Sequence, residues 1–162
     1  MVKRNWTLFS LIFIIAAALD QATKILVLSK IDLHDSIVLI PGFFNIVHTR
    51  NRGMAFGLFN NPDQGPAFYF LTGASVLAIL LIGFWFFKLK EYEKPLIPGL
   101  ALILGGAMGN LIDRLRIGEV IDFLDIQLGS YHWPAFNIAD SCISLGTIWV
   151  VICLLFLINP EQ

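Results

Sequence analysis

The sequence predicts an α-helical integral membrane protein with four transmembrane helices and a small β-rich extracytoplasmic subdomain at the membrane surface. The first observation is composition: 57% of the residues are hydrophobic, only 14% are charged, and the mean hydropathy is +0.75. A soluble domain usually carries about 25% charged residues because its surface must face water. The second is that the apolar residues fall into four long runs. Lipid must therefore cover much of the surface.

The four apolar runs are each long enough, or nearly so, to cross a bilayer. A spanning helix needs about 20 apolar residues, with roughly 17 as a lower limit. The runs cover residues 6–28, 67–87, 95–112 and 139–158. Asp20 and Lys24 interrupt the first run, whereas 67–87 is uncharged throughout. An even number of spans places both termini on the same side of the membrane.

The connections between the runs differ in length and pattern. In the long segment 31–66, residues 36–40 and 43–47 are β-rich and flank the turn Pro41-Gly42. Their apolar residues suit a small sheet lying against the headgroups, whereas we expect an outer loop over 118–138. We find no repeat, linker or low-complexity tract, so residues 1–162 are expected to form one membrane-embedded domain.

The N-terminus permits two interpretations, and basic residues favour one orientation. Lys3 and Arg4, the apolar run and the alanines at 16–18 also resemble a cleavable secretory signal. If the segment is retained, both basic residues share a side with the basic 88–94 turn, which favours cytoplasmic termini. The opposite side carries six basic residues, against five on the side of the termini, so the number of basic residues alone does not decide the orientation. If the termini are cytoplasmic, the arginines on the outer side must have another role.

Ionisable groups collect near one predicted end of the helices. Each costs about 3 kcal/mol at membrane depth on insertion scales, so each needs an explanation. A carrier with a proton relay would spread such groups through the bilayer and often shows inverted repeats, neither of which is seen. A structural role based on helix packing leaves these groups unexplained. The net charge of −1 provides no basic surface for nucleic acid. The clustered residues are Asp20, Asp113, Arg114, Asp122, Asp125 and Asp140.

Asp122 and Asp140 form the most informative pair, because two adjacent carboxylates can activate water. One acts as a base while the other, protonated, polarises a carbonyl group. At about 4 Å and an effective dielectric near 20, two carboxylates repel by roughly 4 kcal/mol, or about 3 pK units. One would then keep a proton near neutral pH. Alternatively, Asn137 and Asp140 cap the fourth helix, a role that is compatible with catalysis.

The other polar residues have structural alternatives. Asp20 and Lys24 stand four residues apart and can form an ion pair, with Lys24 reaching outward, or bind substrate. Gly105 and Gly109 form a GxxxG motif that close helix packing explains. The run after it contains Asn110, and an ion network between Asp113 and Arg114 competes with a role in a site.

Other catalytic chemistries are disfavoured. The three histidines show no metal-ligand spacing, and H-E-x-x-H is absent from the sequence. Cys142 and Cys153 lie in the last apolar run, so neither a disulfide framework nor a Cys142–His132 nucleophile is favoured. A serine–lysine dyad would need a serine facing Lys24, and Ser29 faces elsewhere on a helix.

Six short blocks resemble the lipoprotein signal peptidases, also called signal peptidase II. The resemblance runs in order over nearly the whole chain. The blocks are DQATK at 20–24, NRGMAF at 51–56, GGAMGN at 105–110, DR at 113–114, GEVIDF at 118–123 and FNIAD at 136–140.

This resemblance implies an aspartic endopeptidase of the bacterial inner membrane with its active site near the outer leaflet. It implies removal of signal peptides from prolipoproteins with a diacylglyceryl-modified cysteine, by cutting just before that cysteine. Membrane lipids and the inhibitor globomycin would be further partners, with no metal or cofactor. The implied catalytic dyad is Asp122 and Asp140.

The remaining candidate residues would bind substrate or support the dyad. Gly53 and Phe56 belong to a segment that we expect to close over the substrate. The full set of supporting candidates is Asp20, Lys24, Asn51, Gly53, Phe56, Asn110, Asp113, Arg114 and Asn137.

Overall fold

The structure is a computed structural model, and it describes residues 5–53 and 65–158. Its helices are α1 (Trp6–Lys30), α2 (Gly65–Lys88), α3 (Ile97–Ile117) and α4 (Ile138–Ile152). A short 3-10 helix, Glu91–Leu96, precedes α3, and a π-helical turn, Cys153–Leu157, extends α4. The strands are β1 (Ser36–Ile40), β2 (Phe44–Asn51), β3 (Val120–Leu128) and β4 (Tyr131–His132).

Helix α3 is the central helix, and α1, α2 and α4 each pack against it. The span that contains α3 is 67% buried inside the protein, whereas the other three are 11–22% buried and leave apolar side chains for lipid. Pro98 lies in the first turn of α3, where its missing N–H has no cost. Gly118 ends the helix in the left-handed conformation, with φ of 74°.

Small residues allow the close approach of α3 to its neighbours. A Cβ atom on Gly105 would lie 2.7 Å from the Ala16 Cβ on α1, and one on Gly99 would lie 2.8 Å from the Gly146 carbonyl oxygen on α4. These separations are too short for any side chain. The packing explanation of the GxxxG motif is therefore supported, since its glycines face α1.

The four strands form one antiparallel sheet in the order β1-β2-β3-β4. Strand β3 follows α3 directly, and its residues Phe123 and Leu124 pack with Val27 and Ile31 at the end of α1. The β1 strand is exposed along its whole length, although it consists mainly of apolar residues. The sheet is thus fixed to the end of the bundle where the charged residues collect.

The predicted fold class is confirmed, and two details are corrected. Four helices are long and apolar enough to cross a membrane, and strands β1 and β2 lie in the predicted β-rich segment. The expectation of a loop over 118–138 is wrong, because that segment contains β3 and β4. Helix α3 also continues to Ile117, past the predicted end at residue 112, because Asp113 is buried in an ion pair with Lys24 inside the protein and the helix ends only at Gly118.

Candidate active site

Asp122 and Asp140 reach one cavity from two different elements. Asp122 lies on β3 and is 3% exposed, whereas Asp140 lies in the first turn of α4 and is partly exposed. Both line a cavity of about 900 Å³. β3 leaves the end of α3 and α4 begins nearby, so the ends of these elements bring the two carboxylates together.

Asparagine amides hold both carboxylates. Asn137 Nδ2 donates to Asp122 Oδ1 at 2.7 Å, and Asn51 Nδ2 donates to Asp122 Oδ2 at 3.0 Å. Asn110 Nδ2 donates to Asp140 Oδ1 at 2.8 Å. Neutral donors orient the carboxylates without the full charge neutralisation that a lysine or arginine partner would bring.

Groups that can only donate fix the orientation of these amides. The Asp140 backbone N–H donates to Asn137 Oδ1 at 2.9 Å, and the Gly53 N–H donates to Asn51 Oδ1 at 3.0 Å. The Lys24 ammonium donates to Asn110 Oδ1 at 2.9 Å. Because each amide oxygen is occupied by a donor, each Nδ2 is left to face a carboxylate.

Asn137 also begins α4. Its side chain caps the helix, and the Asp140 carboxylate accepts a hydrogen bond from the Asn137 backbone N–H in return. This is a capping box, in which two otherwise unpaired helix N–H groups are satisfied. The capping alternative for Asp140 is therefore present in the structure together with its place in the cavity.

The surroundings of Asp122 favour its protonated form. Burial, and secondly the negative charge of Asp140, raise the pKa of Asp122 to about 7, although hydrogen bonds from Asn51 and Asn137 act in the opposite direction. Burial penalises the ionised carboxylate because it loses hydration, and a like charge adds repulsion. The site therefore holds one carboxyl group that titrates near neutral pH.

Asp20, Lys24 and Asp113 lie beneath the dyad in a buried ion network. The Lys24 Nζ atom is 2.8 Å from Asp20 Oδ2 and 2.7 Å from Asp113 Oδ2. None of the three is more than 1% exposed, and none is among the described residues that line the cavity. The alternative in which Lys24 reaches outward is wrong, because its ammonium points inward to two carboxylates.

Arg114 occupies a different position from Asp113, although the two are adjacent in sequence. Its side chain lines the cavity, where it interacts electrostatically with both dyad carboxylates. It also donates weakly to Ser75 Oγ at 3.5 Å. Asp113 pairs with Lys24 instead, so the simple Asp113–Arg114 pair is not what organises this helix end.

The remaining cavity wall is largely apolar and combines large side chains, such as Trp133 and Phe136, with several small ones. Helices α2 and α4 supply opposite walls, and α3, which packs against both, supplies residues between them. None of the six sequence blocks includes a residue of α2. The sequence did not indicate that α2 lines the cavity, because an uncharged spanning run contains no residue typical of a site. The small lining residues on the three helices are Ala74, Ser75, Ala78, Ala107, Ser141 and Ser144.

The outer arginines have a structural partner that the sequence left unassigned. Buried Glu119 lies 2.5 Å from Arg52 Nε and 3.7 Å from Arg50 Nη1. These pairs join the end of β2, which carries Asn51, to the start of β3. In the sequence, the acidic residue Glu119 was the one available indication that these arginines have a partner.

Two predicted features lie outside the cavity or outside the described residues. Asp125 is buried, but it accepts hydrogen bonds from Asn45 at 2.7 Å and pairs with His132 at 2.9 Å, away from the described cavity lining. Gly53 lines the cavity. Phe56, and with it most of the expected closing segment, lies outside the described residues.

Comparison with known proteins gives one consistent result. A family model described as "Signal peptidase (SPase) II" matches residues 12–156. A lipoprotein signal peptidase of Desulforapulum autotrophicum is 47% identical over 93% of this chain and 93% of the relative. Those of Syntrophus aciditrophicus and Geobacter metallireducens are 45% and 42% identical, over 93% and 99% of this chain and 94% and 96% of the relatives.

Two solved structures show the same fold. Both are described as bacterial membrane enzymes determined by the in meso method, at 2.3 and 1.9 Å resolution. Their TM-scores are 0.84 and 0.82, each at 32% sequence identity. The similarity covers 95% and 96% of this chain and 91% and 97% of those chains.

Four helices able to cross a membrane, with a cavity at one end that contains two aspartates in a largely apolar wall, define a membrane protein, and the family match makes it a membrane-embedded protease. The chain belongs to the signal peptidase II family.

Proposed function

We propose that the protein is an aspartic endopeptidase that removes signal peptides from diacylglyceryl-modified prolipoproteins, cutting just before the lipidated cysteine. The observation that carries the proposal is the pair of amide-held carboxylates, Asp122 and Asp140, in one cavity with an apolar wall. Two carboxylates and a water molecule suffice for peptide hydrolysis, so the proposal includes no metal ion or cofactor.

In the proposed reaction Asp140 is the base and Asp122 is the acid. Asp140 takes a proton from water, and the hydroxide forms a bond to the scissile carbonyl carbon while Asp122 protonates the carbonyl oxygen. When the tetrahedral intermediate collapses, the C–N bond breaks. Asp140 then passes its proton to the leaving nitrogen, and Asp122 recovers a proton from the gem-diol. The products are a free carboxylate on the signal peptide and a free amine on the cysteine.

This assignment of the shared proton is supported by the difference between the two environments. Asp122 is 3% exposed, and burial together with the Asp140 charge raises its pKa to about 7. Asp140 is partly exposed and lies in the first turn of α4, where the helix dipole favours a negative charge. The proposal therefore places the shared proton on Asp122.

The supporting residues divide into three roles in this proposal. Asn51, Asn110 and Asn137 orient the dyad, and Gly53 fixes Asn51 through its N–H. Arg114, whose guanidinium is in the cavity, donates to carbonyl groups of the substrate. Phe56 and its segment close over the bound peptide.

The apolar cavity wall that α2 and α4 supply supports the proposed substrate class. Unpaired backbone is strongly disfavoured in hydrocarbon, so a scissile peptide must be held among protein polar groups at the membrane surface. The small residues Ala74, Ala78 and Ser144 leave room beside the dyad for acyl chains. Globomycin, a lipopeptide, would occupy the same space.

The proposed location is the bacterial inner membrane, with cytoplasmic termini and the cavity near the outer leaflet. The sheet and the dyad are at one end of the bundle, and the basic turn between α2 and α3 is at the other. This placement leaves the acidic site facing the compartment in which lipoproteins mature.

Purified protein in detergent tests the proposal directly. We expect it to cleave a diacylglyceryl-modified prolipoprotein and not the same precursor without lipid, with mass spectrometry locating the new N-terminus at the modified cysteine. Globomycin should inhibit the reaction, and a metal chelator should not. Equal cleavage of both precursors, or a cut elsewhere in the chain, would contradict the proposed specificity.

A further inference from the structure

Each dyad aspartate follows a residue whose backbone is held by a buried carboxylate. The N–H of Ala139, the residue before the dyad aspartate of α4, donates to Asp20 Oδ1 at 2.9 Å. The N–H of Ile121, the residue before the dyad aspartate of β3, donates to Asp113 Oδ2 at 3.2 Å. A carboxylate from α1 and another from α3 thus hold the main chain one residue before each dyad aspartate.

Lys24 joins these two carboxylates. Its Nζ atom lies 2.8 Å from Asp20 Oδ2, 2.7 Å from Asp113 Oδ2 and 2.9 Å from Asn110 Oδ1. An ammonium group has three donors, so all three are used and none is left for substrate. The uncharged Gln21 amide also connects the two carboxylates, because its Nε2 donates to Asp20 Oδ2 at 3.3 Å and to Asp113 Oδ1 at 3.0 Å.

The network also reaches the dyad through a side chain. Lys24 fixes the Asn110 oxygen, which leaves the Asn110 Nδ2 atom facing Asp140 Oδ1 at 2.8 Å. Two contacts therefore position Asp140. Its carboxylate accepts a hydrogen bond from Asn110, and the backbone N–H of the preceding residue, Ala139, donates to Asp20. Both contacts depend on the position of the Lys24 ammonium.

We propose that the buried Asp20–Lys24–Asp113 bridge sets the separation of the two dyad carboxylates, with Lys24 as a positioning residue. The inference rests on the proposed function and deepens it. Two carboxylates that share a site repel each other, so their spacing needs a stiff support. Stability alone gives little reason for the bridge, because a buried ion network is often no more stabilising than well-packed apolar residues.

A triple variant, Asp20→Asn/Lys24→Met/Asp113→Asn, tests this role without leaving an unpaired buried charge. A displacement of about 1 Å at a reacting group lowers the rate on the order of 100-fold, so we expect kcat to fall by about 10- to 100-fold while KM is unchanged. Loss of the Lys24 charge alone would raise the pKa of Asp122. A downward shift of the high-pH limb of the rate profile is therefore expected only if the two carboxylates move apart and repel each other less.

Asp125→Asn is the matched control. It removes a buried carboxylate from the same strand, β3, but that carboxylate contacts Asn45 and His132 rather than the residues before the dyad. This variant should keep the wild-type kcat and the wild-type pH profile. A loss equal to that of the triple variant would show a general effect of buried charge and would overturn the positioning role.

If the triple variant does not fold, Asp113→Asn decides the question, because it leaves Lys24 and Asp20 as a balanced ion pair. We expect a kcat about tenfold lower and a pH profile shifted in the same direction. Unchanged kcat and pH profile in the folded variant, or a rise in KM alone, would contradict the proposal. Failure of the proposed function is separate: it would appear as a wild-type protein that does not cut lipidated precursor.

Discussion

At the residue scale, the site depends on groups that can only donate hydrogen bonds, because these groups fix which atom of each asparagine amide faces a carboxylate. Backbone N–H groups and the Lys24 ammonium fix three asparagine amides, and these amides orient the Asp122 and Asp140 carboxylates. The dyad is left with one carboxyl group whose pKa is about 7. The acid and base roles that we propose thus arise from the different surroundings of two chemically identical side chains.

The raised pKa of Asp122 predicts the pH dependence of cleavage. The proposed reaction needs Asp122 protonated, so kcat should be maximal below about pH 7 and should fall as pH rises through that value. Initial rates at saturating lipidated substrate from pH 5 to 9 would measure this. A rate that is constant up to pH 9 would contradict the assignment of the proton to Asp122.

Individual site residues were only partly predictable from the sequence. The blocks indicated Asp122, Asp140 and the asparagines as a group, but sequence spacing cannot show which donor faces which oxygen. For Lys24 the sequence leaves two alternatives, an ion pair with the ammonium reaching outward to water or a role in substrate binding. The structure instead gives it two buried carboxylates, a contact made across helices and therefore invisible in local sequence.

At the element scale, α3 positions the site because its glycines let α1 and α4 approach. Gly106 faces the Ala139 carbonyl at the start of α4, one residue before Asp140. Any side chain there would push this helix start away. The packing of two helices is thereby coupled to the position of a carboxylate that we propose to be catalytic.

We predict that Gly106→Ala lowers both stability and kcat, the latter by at least tenfold, since the new Cβ meets the Ala139 backbone. Gly73→Ala on α2 is the control: nothing lies within 4 Å of its added Cβ, and alanine favours a helix by about 1 kcal/mol over glycine. Thermal unfolding in detergent and cleavage rates would compare them. Wild-type activity in Gly106→Ala would show that this contact does not hold the dyad.

The wall formed by α2 gives a second prediction. Ala78→Phe places a large ring in the proposed acyl space, so KM for lipidated precursor should rise about tenfold or more while the dyad is untouched. Leu77→Phe, at a position 56% exposed and outside the cavity lining, is the matched variant and should behave as wild type. Steady-state kinetics would separate the two. Similar KM values would argue against acyl chains beside α2.

Sequence patterns predicted the helices better than the sheet. A spanning helix is encoded by one continuous apolar run, so its presence can be recognised locally. Strand β3 contains apolar residues on both faces, with Asp122 on one face and Asp125 on the other. It therefore lacks the alternation of apolar and polar residues by which a strand is recognised in a sequence. Its pairing with β2 joins residues about 70 positions apart, such as Asn51 and Val120.

At the scale of the whole molecule, polar chemistry is concentrated at one end of an apolar bundle. The central helix α3 is largely buried, and the other three helices present apolar residues to lipid. The sheet is attached to the same end as the dyad. A substrate that is itself anchored in the membrane then has to move only laterally to reach this end.

The proposed orientation can be checked with single cysteines. In a background without Cys142 and Cys153, Tyr131→Cys on the sheet should react with an impermeant maleimide added outside the inner membrane, because Tyr131 is 54% exposed. Glu91→Cys, beside the turn between α2 and α3, should react only after the membrane is opened. The opposite pattern would place the cavity on the cytoplasmic side.

The most direct test of the central claim is cleavage of lipidated prolipoprotein by Asp122→Asn and Asp140→Asn. Asparagine keeps the shape of aspartate and cannot ionise, so both variants should fold and bind globomycin. We expect kcat to fall by about 100- to 10,000-fold, the size of effect typical of a general acid or base. Asp125→Asn should retain wild-type activity. Near-normal cleavage by either dyad variant would contradict the aspartic mechanism.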